Sequence, residues 1–150
     1  MPTRRRPAHG VLWPDDRPPI VFLTVCTKDR RRWLADERAH ADLVDAWRAA
    51  DRWLVGRYVL MPDHVHLFCA PVDGPATLEA WVRYWKSCFT RSGADRSRRW
   101  QSGHWDTRLR REENYDAKWS YVRENPVRAQ LAPTADAWPY QGELNDLRWG

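Results

Sequence analysis

The alternation of apolar and polar positions divides the chain into a short series of elements. Residues 20–27 (Ile-Val-Phe-Leu-Thr-Val-Cys-Thr) form an apolar, β-branched run between Pro18-Pro19 and Lys28-Asp29, and predict a first strand. Over residues 36–50 the apolar positions Ala39, Leu43, Ala46, Trp47 and Ala50 follow a helical period. Residues 53–60 predict a second strand, Pro62-Asp63 a tight turn, and residues 64–70 a third strand that returns as a hairpin. Residues 77–91 place Leu78, Trp81, Val82, Trp85, Cys88 and Phe89 on one stripe, with Arg83, Lys86 and Arg91 on the other face of a second helix. A polar, basic loop follows over residues 92–101, then a short fourth strand over 104–109 and a helix over 114–125. Pro126 interrupts, residues 127–131 add a turn or short helix, and residues 133–150 read as irregular. The order β–α–β–β–α–β with further helix is the pattern of a ferredoxin-like α+β sandwich, an antiparallel sheet with helices packed on it. That fold serves many functions, so function has to come from the site.

Composition narrows the picture. At 150 residues one domain is expected, with a Pro- and Arg-rich arm over residues 1–17 and a core over residues 18–142. The 43% hydrophobic content and 11 Trp exclude global disorder. The net charge of +5, carried mostly by Arg, fits a nucleic-acid partner, although such a charge also serves solubility alone. The three cysteines, Cys26, Cys69 and Cys88, form no Cys-x-x-Cys pair and are expected as free thiols, two of them in apolar strands. No apolar stretch reaches transmembrane length, so no membrane partner is expected. The basic N-terminal segment has no apolar run behind it and does not read as a signal peptide, which leaves the cytoplasm as the expected location.

The candidate chemistry centres on His64-Val65-His66, within Leu60-Met-Pro-Asp-His-Val-His-Leu-Phe68. On a strand, side chains alternate, so His64, His66 and Phe68 share one face while Val65, Leu67 and Cys69 turn to a core. Two neutral imidazoles so placed can hold a divalent metal; two surface histidines are the competing reading. A second constellation is Tyr121 with Asn125, at i and i+4 on one helical face. Asn125 offers an amide oxygen as a third ligand, a donor that suits Mg2+ or Mn2+. A phenol with its free pKa near ~10 is a weak nucleophile, but beside a metal that polarises a phosphate it can attack phosphorus. The competing readings are a helix-boundary Asn125-Pro126 pair and a half-buried tyrosine with a wet hydroxyl. Tyr115, six residues earlier, is the rival nucleophile, ranked second.

With these residues in view, the chain resembles the REP-associated tyrosine transposases, a branch of the single-tyrosine HUH (His-hydrophobic-His) transposases. The resemblance rests on Phe22-Leu-Thr-Val-Cys-Thr-Lys-Asp-Arg30, Val59-Leu-Met-Pro-Asp-His-Val-His-Leu67, Glu113-Asn-Tyr-Asp-Ala-Lys-Trp-Ser-Tyr-Val-Arg-Glu-Asn-Pro-Val-Arg128 and Trp138-Pro-Tyr140. It implies an antiparallel sheet with the histidines on a central strand. It also implies a bacterial, nucleoid-associated enzyme that nicks and rejoins single-stranded DNA beside palindromic hairpins. On this chain His64, His66 and Asn125 match the ligands of Mg2+ or Mn2+. Tyr121 matches the nucleophile, which is left joined to the 5′ side of the cut. A homodimer and a monomer stay equally open. The chain departs from the family where an Asp-His pair often precedes the tyrosine helix (Asp106 is followed here by Thr107, with His104 nearby) and where Gly often follows Asn-Pro-Val (here Gln130).

Basic residues that fit phosphate contacts are Arg4, Arg5, Arg6, Lys28, Arg30, Arg31, Lys86, Arg98, Arg99, Arg108 and Arg110. Trp100 and Trp105, interleaved with them, fit base stacking. Trp33, Trp47, Trp53, Trp81 and Trp85 are expected in the core. Two other readings predict different behaviour. A catalytically inactive hairpin DNA- or RNA-binding module of the same fold would bind without metal, and a structural zinc protein would lose stability on chelation.

Overall fold

A computed structural model describes residues 20–147 apart from Asp73, Ala94 and Arg111, and of Glu112 and Glu113 only the backbone. The arm over residues 1–17, with Arg4, Arg5 and Arg6, lies outside the described residues. The strands are β1 (Ile20–Cys26), β2 (Trp53–Met61), β3 (His64–Pro71), β4 (Trp105–Leu109) and β5 (Gln141–Glu143). The helices are α1 (Glu37–Ala49), α2 (Leu78–Ser92), α3 (Glu112–Val122) and α4 (Asn125–Arg128). All strand pairings are antiparallel, in the order β4-β1-β3-β2-β5, so the fold is the α+β sandwich expected, with β3 at the centre.

Period-2 alternation sorts the sheet into two faces. Val21, Leu23 and Val25 of β1 and Val65, Leu67 and Cys69 of β3 are buried with Leu43 and Trp47 of α1 and Trp81, Trp85 and Phe89 of α2. This is the main core. The helices start where their caps allow: the Asp36 carboxylate accepts from Ala39 N and the Thr77 hydroxyl from Ala80 N, each tying down a first-turn donor. The opposite face carries two smaller clusters. Ile20, Phe68 and Leu109 pack with Tyr115 of α3, and Val59 packs with Val122 and Trp138. Cys69 is buried, Cys26 and Cys88 are half-buried, and all three thiols are free.

Two expectations need correction. The tail beyond residue 133 is not wholly irregular: Thr134 caps a 3-10 turn, and β5 pairs with Arg57, Tyr58 and Val59 at the edge of β2. The helix expected over 114–125 ends at Val122, and Asn125 opens α4 instead. Pro126 has no N–H to offer the carbonyl of Val122, so the last turn tightens, with Glu124 N bonding Tyr121 O at 3.3 Å. Among the described residues no helix is long and apolar enough to cross a membrane.

Candidate metal and tyrosine site

His64 and His66 lie on the central strand, on the face that carries α3. Their rings are 4.7 Å apart between centroids. Each ring is held through Nδ1. His64 Nδ1 bonds Asp63 Oδ1 at 2.7 Å, and His66 Nδ1 bonds Thr24 Oγ1 at 2.8 Å. Thr24 reaches His66 because the β1–β3 register sets them directly opposite. The Asp63 carboxylate can only accept, which sets the His64 proton on Nδ1 and leaves Nε2 available to ligate, whereas the Thr24 hydroxyl can serve His66 Nδ1 as donor or acceptor; among the described residues neither Nε2 has a hydrogen-bond partner. An imidazole anchored in this way by a carboxylate or hydroxyl is the usual support of a metal ligand. Phe22 stacks on His66 with centroids 5.3 Å apart. Burial first, then the nearby His64 and Lys118, push the His66 pKa down to about 3, so its imidazole stays neutral, the form that binds metal. Asp63 is in turn braced by Arg30, whose Nε donates to Oδ2 at 3.0 Å. Burial raises the Asp63 pKa, but the bonds from His64 and Arg30 outweigh it and hold the group below the usual carboxylate value.

Helix α3 lies over the same face. Lys118 Nζ sits 4.8 Å above the Phe22 ring. Val122, next to Tyr121, is buried with Val59, and Val59 lies directly opposite His66 in the β2–β3 register. Tyr121 itself is 63% exposed, so its phenol is open to a large substrate. The junction between α3 and α4 is held by Arg128. Its guanidinium lies 4.0 Å over the Tyr121 ring, donates to the Tyr121 carbonyl at 2.7 Å and donates to Asn125 Oδ1. Tyr121 and Asn125 therefore meet through Arg128, not through the single helical face expected.

Tyr115 has a different fate. It is 3% exposed, its hydroxyl accepts from Arg57 N at 3.2 Å, and burial pushes its pKa up to about 12. A Cβ on Gly56 would lie 2.7 Å from that hydroxyl, so the strand passes too close to Tyr115 for any larger residue. Tyr115 packs; it does not present a phenol.

The donor set admits a divalent ion on two imidazoles. Among the described residues no three His, Cys, Asp or Glu side chains are grouped to hold one, and the amide oxygen of Asn125, the third donor expected, accepts from Arg128. His104 Nε2 lies 3.2 Å from Asp106 Oδ2. Asp106 lies opposite Leu23 in the β1–β4 register, which turns it toward the α1–α2 core and away from the two histidines.

Several residues expected to contact DNA have structural duties. Trp100 is no free stacking platform: its ring packs 5.1 Å from Trp33 and 5.3 Å from both Trp85 and Phe89. Arg98 is 8% exposed, pairs with Asp42 at 3.0 Å and lies 4.4 Å over Phe89, so its charge is spent inside the fold. Lys86 Nζ donates to the carbonyls of Gln101 at 2.9 Å and Gly103 at 3.0 Å. Arg108 is half-buried opposite Val21, again on the core side. Lys28, Arg30, Arg31, Arg99, Trp105 and Arg110 are exposed. Thr24, Asp63, Phe22, Lys118 and Arg128 were not singled out from sequence. All five lie within the stretches that carry the family resemblance, but none has a site role assigned to it there.

No protein-family model matches the chain. In sequence it is similar to a Haemophilus influenzae protein named a REP-associated tyrosine transposase, with 21% identity over 149 positions covering 86% of this chain and 82% of the relative. In structure it is similar to a REP-associated tyrosine transposase bound to a REP hairpin, at a TM-score of 0.73, 22% identity, 94% of this chain and 82% of that one. It is also similar to a protein from Deinococcus radiodurans named a transposase, at a TM-score of 0.52, 17% identity, 83% of this chain and 97% of that one. The structural matches establish the fold, and the sequence resemblance is to the same kind of protein.

Proposed function

We propose that this chain, similar in sequence and fold to REP-associated tyrosine transposases, is a single-stranded DNA endonuclease and strand transferase acting beside hairpins, with Tyr121 as nucleophile. The observation that carries the reading is the presence of two Nδ1-anchored imidazoles on the same sheet face as an exposed tyrosine whose neighbour Val122 packs on Val59, the residue opposite His66. His64 and His66 would hold Mg2+ or Mn2+, with Asn125 as the candidate third donor. When bound, such an ion polarises a phosphate oxygen and offsets charge on phosphorus. Thr24 and Asp63 would fix the two rings through Nδ1 and leave each Nε2 to ligate. Tyr121 attacks the scissile phosphate; the bond from its oxygen to phosphorus forms as the bond to the 3′ oxygen breaks. The phenol proton is lost and the departing 3′ oxygen takes up a proton, leaving a 3′ hydroxyl and a 5′-phosphotyrosine. The reverse step on another end rejoins the strand.

The test is incubation of the protein with Mn2+ and single-stranded hairpin DNA from the flanks of its own gene, followed by a denaturing gel. The wild type and Tyr115→Phe are expected to form a covalent adduct and Tyr121→Phe none. An adduct from Tyr121→Phe would exclude Tyr121. A second reading, a hairpin-binding module without catalysis, draws on one observation: the Asn125 oxygen already accepts from Arg128. It predicts metal-independent binding and no adduct from any variant.

A further inference from the structure

The register across three strands places an indole in the row of the histidines. Thr24 lies opposite His66 on one side and opposite Trp105 on the other. Directly opposed residues face the same way, so His66, Thr24 and Trp105 line one face. Two strand spacings make the separation about 10 Å, about three base-stacking rises. Trp105 is 49% exposed on the edge strand, whereas Trp47, Trp53, Trp81 and Trp85 are buried.

The surface beyond Trp105 changes in a definite order. Trp105 borders a hollow of about 350 Å³ formed with Glu79, His104 and residues 101–103. Among the described residues this hollow has no Lys or Arg in its wall. Residues 101–103 are also one wall of an adjoining open groove of about 620 Å³. That groove carries Lys28, Arg83, Lys86 and Arg99, with no carboxylate among its described lining residues. An exposed indole beside a groove of basic side chains is the combination a single strand uses: the indole stacks a base while the groove tracks the phosphates.

We infer that Trp105 stacks a base close to the scissile phosphate and that the single strand then passes over residues 101–103 into the Lys28–Arg83–Arg99 groove. This rests on the proposed DNA reading but concerns binding, not cleavage.

The experiment measures binding without divalent metal. A single-stranded oligonucleotide carries 2-aminopurine, scanned one position at a time and excited above the tryptophan band. Trp105→Ala is expected to weaken binding about tenfold and to restore fluorescence at the stacked position, while Trp105→Phe keeps most of both. Arg83→Ala and Arg99→Ala are each expected to lower the salt slope by about 0.7. Wild-type affinity in Trp105→Ala, with quenching unchanged at every position, would overturn the inference. So would equal competition by a blunt duplex, which would assign the surface to a stem. If the wild type forms the covalent adduct while Trp105→Ala binds normally, only the strand path falls. If no adduct forms but the Trp105 effects appear, the cleavage reading falls and the path stands.

Discussion

Removing the Asp63 carboxylate separates metal affinity from stability. Asp63 Oδ1 holds His64 Nδ1 at 2.7 Å, and this bond sets which ring nitrogen faces outward and at what angle. The turn that carries Asp63 is held by main-chain groups instead. Thr27 N and Thr27 Oγ1 both donate to the Asp63 carbonyl, at 3.0 and 3.1 Å, and Leu34 N donates to Pro62 O at 3.0 Å. Asp63→Ala therefore keeps the hairpin and frees the ring. Loss of such a support typically weakens metal binding by about 10–100-fold, or about 1.4–2.7 kcal/mol. The stability cost is smaller. The other partner, Arg30, is 56% exposed, and an ion pair of that kind contributes at most about 1 kcal/mol.

Titration of Mn2+ followed by the resonance of the free ion reads the affinity, and urea unfolding without metal reads the stability. Asp63→Asn keeps an acceptor oxygen without the charge and should fall between wild type and Asp63→Ala. Thr24→Val should act on His66 in the same way, because it removes the oxygen at 2.8 Å from Nδ1. Unchanged Mn2+ affinity in Asp63→Ala and Thr24→Val would refute the reasoning, since the imidazoles would then be positioned by packing alone.

Three further outcomes are expected. Gln130→Gly should stabilise the fold by about 1 kcal/mol, seen as a higher urea midpoint at constant slope: Gln130 sits at φ 61° and closes α4 with Leu131 N bonded to Pro126 O, a left-handed position that a side chain disfavours. Arg128→Ala should slow adduct formation at least about tenfold with little loss of stability, and Arg128→Lys should not restore it, because a point charge replaces the planar group that both covers the Tyr121 ring and reaches two oxygens. Burial lowers the His40 pKa, so below about pH 6.5 the unfolded chain takes up a proton that the folded chain refuses and stability falls as pH drops. His40→Gln should flatten the difference between urea midpoints at pH 7.5 and 5.5, and an unchanged difference would count against it.

What was legible in the sequence divides by the range of the interaction responsible. β1, β2, β3, α1 and α2 carry their own periodicity, so their existence and inward faces follow from spacing alone. The shared face of His64 and His66 follows from the same period of two. β5 is Gln-Gly-Glu, with no apolar residue to announce it; it is a strand only because Arg57, Tyr58 and Val59 leave an edge to pair with. Trp100 and Arg98 look like surface residues inside a basic loop. They are drawn inward by Phe89 and by Asp42, which is 56 positions away. Thr24 could not be found without the strand register, since its bond spans 42 positions. The break after Val122 was signalled by Pro126, but a proline marks the bond it cannot make four residues earlier, so the helix ends before the proline is reached.

The two halves of the proposed site differ in the way a polymeric substrate would require. The imidazoles stand on the central strand, with neighbours on both sides and a bonded Nδ1 each, and His66 is further fixed by the Phe22 ring. Such support keeps two ligating atoms within the narrow tolerance a metal demands. Tyr121 stands instead on the solvent side of a helix end, with Arg128 over one ring face. A phosphodiester inside a chain of nucleotides cannot enter a closed cavity, because the chain continues on both sides. The attacking group must therefore project from an open surface, and precision has to come from the anchored half. Burying Tyr121 as Tyr115 is buried would fix its phenol and close it to an arriving strand.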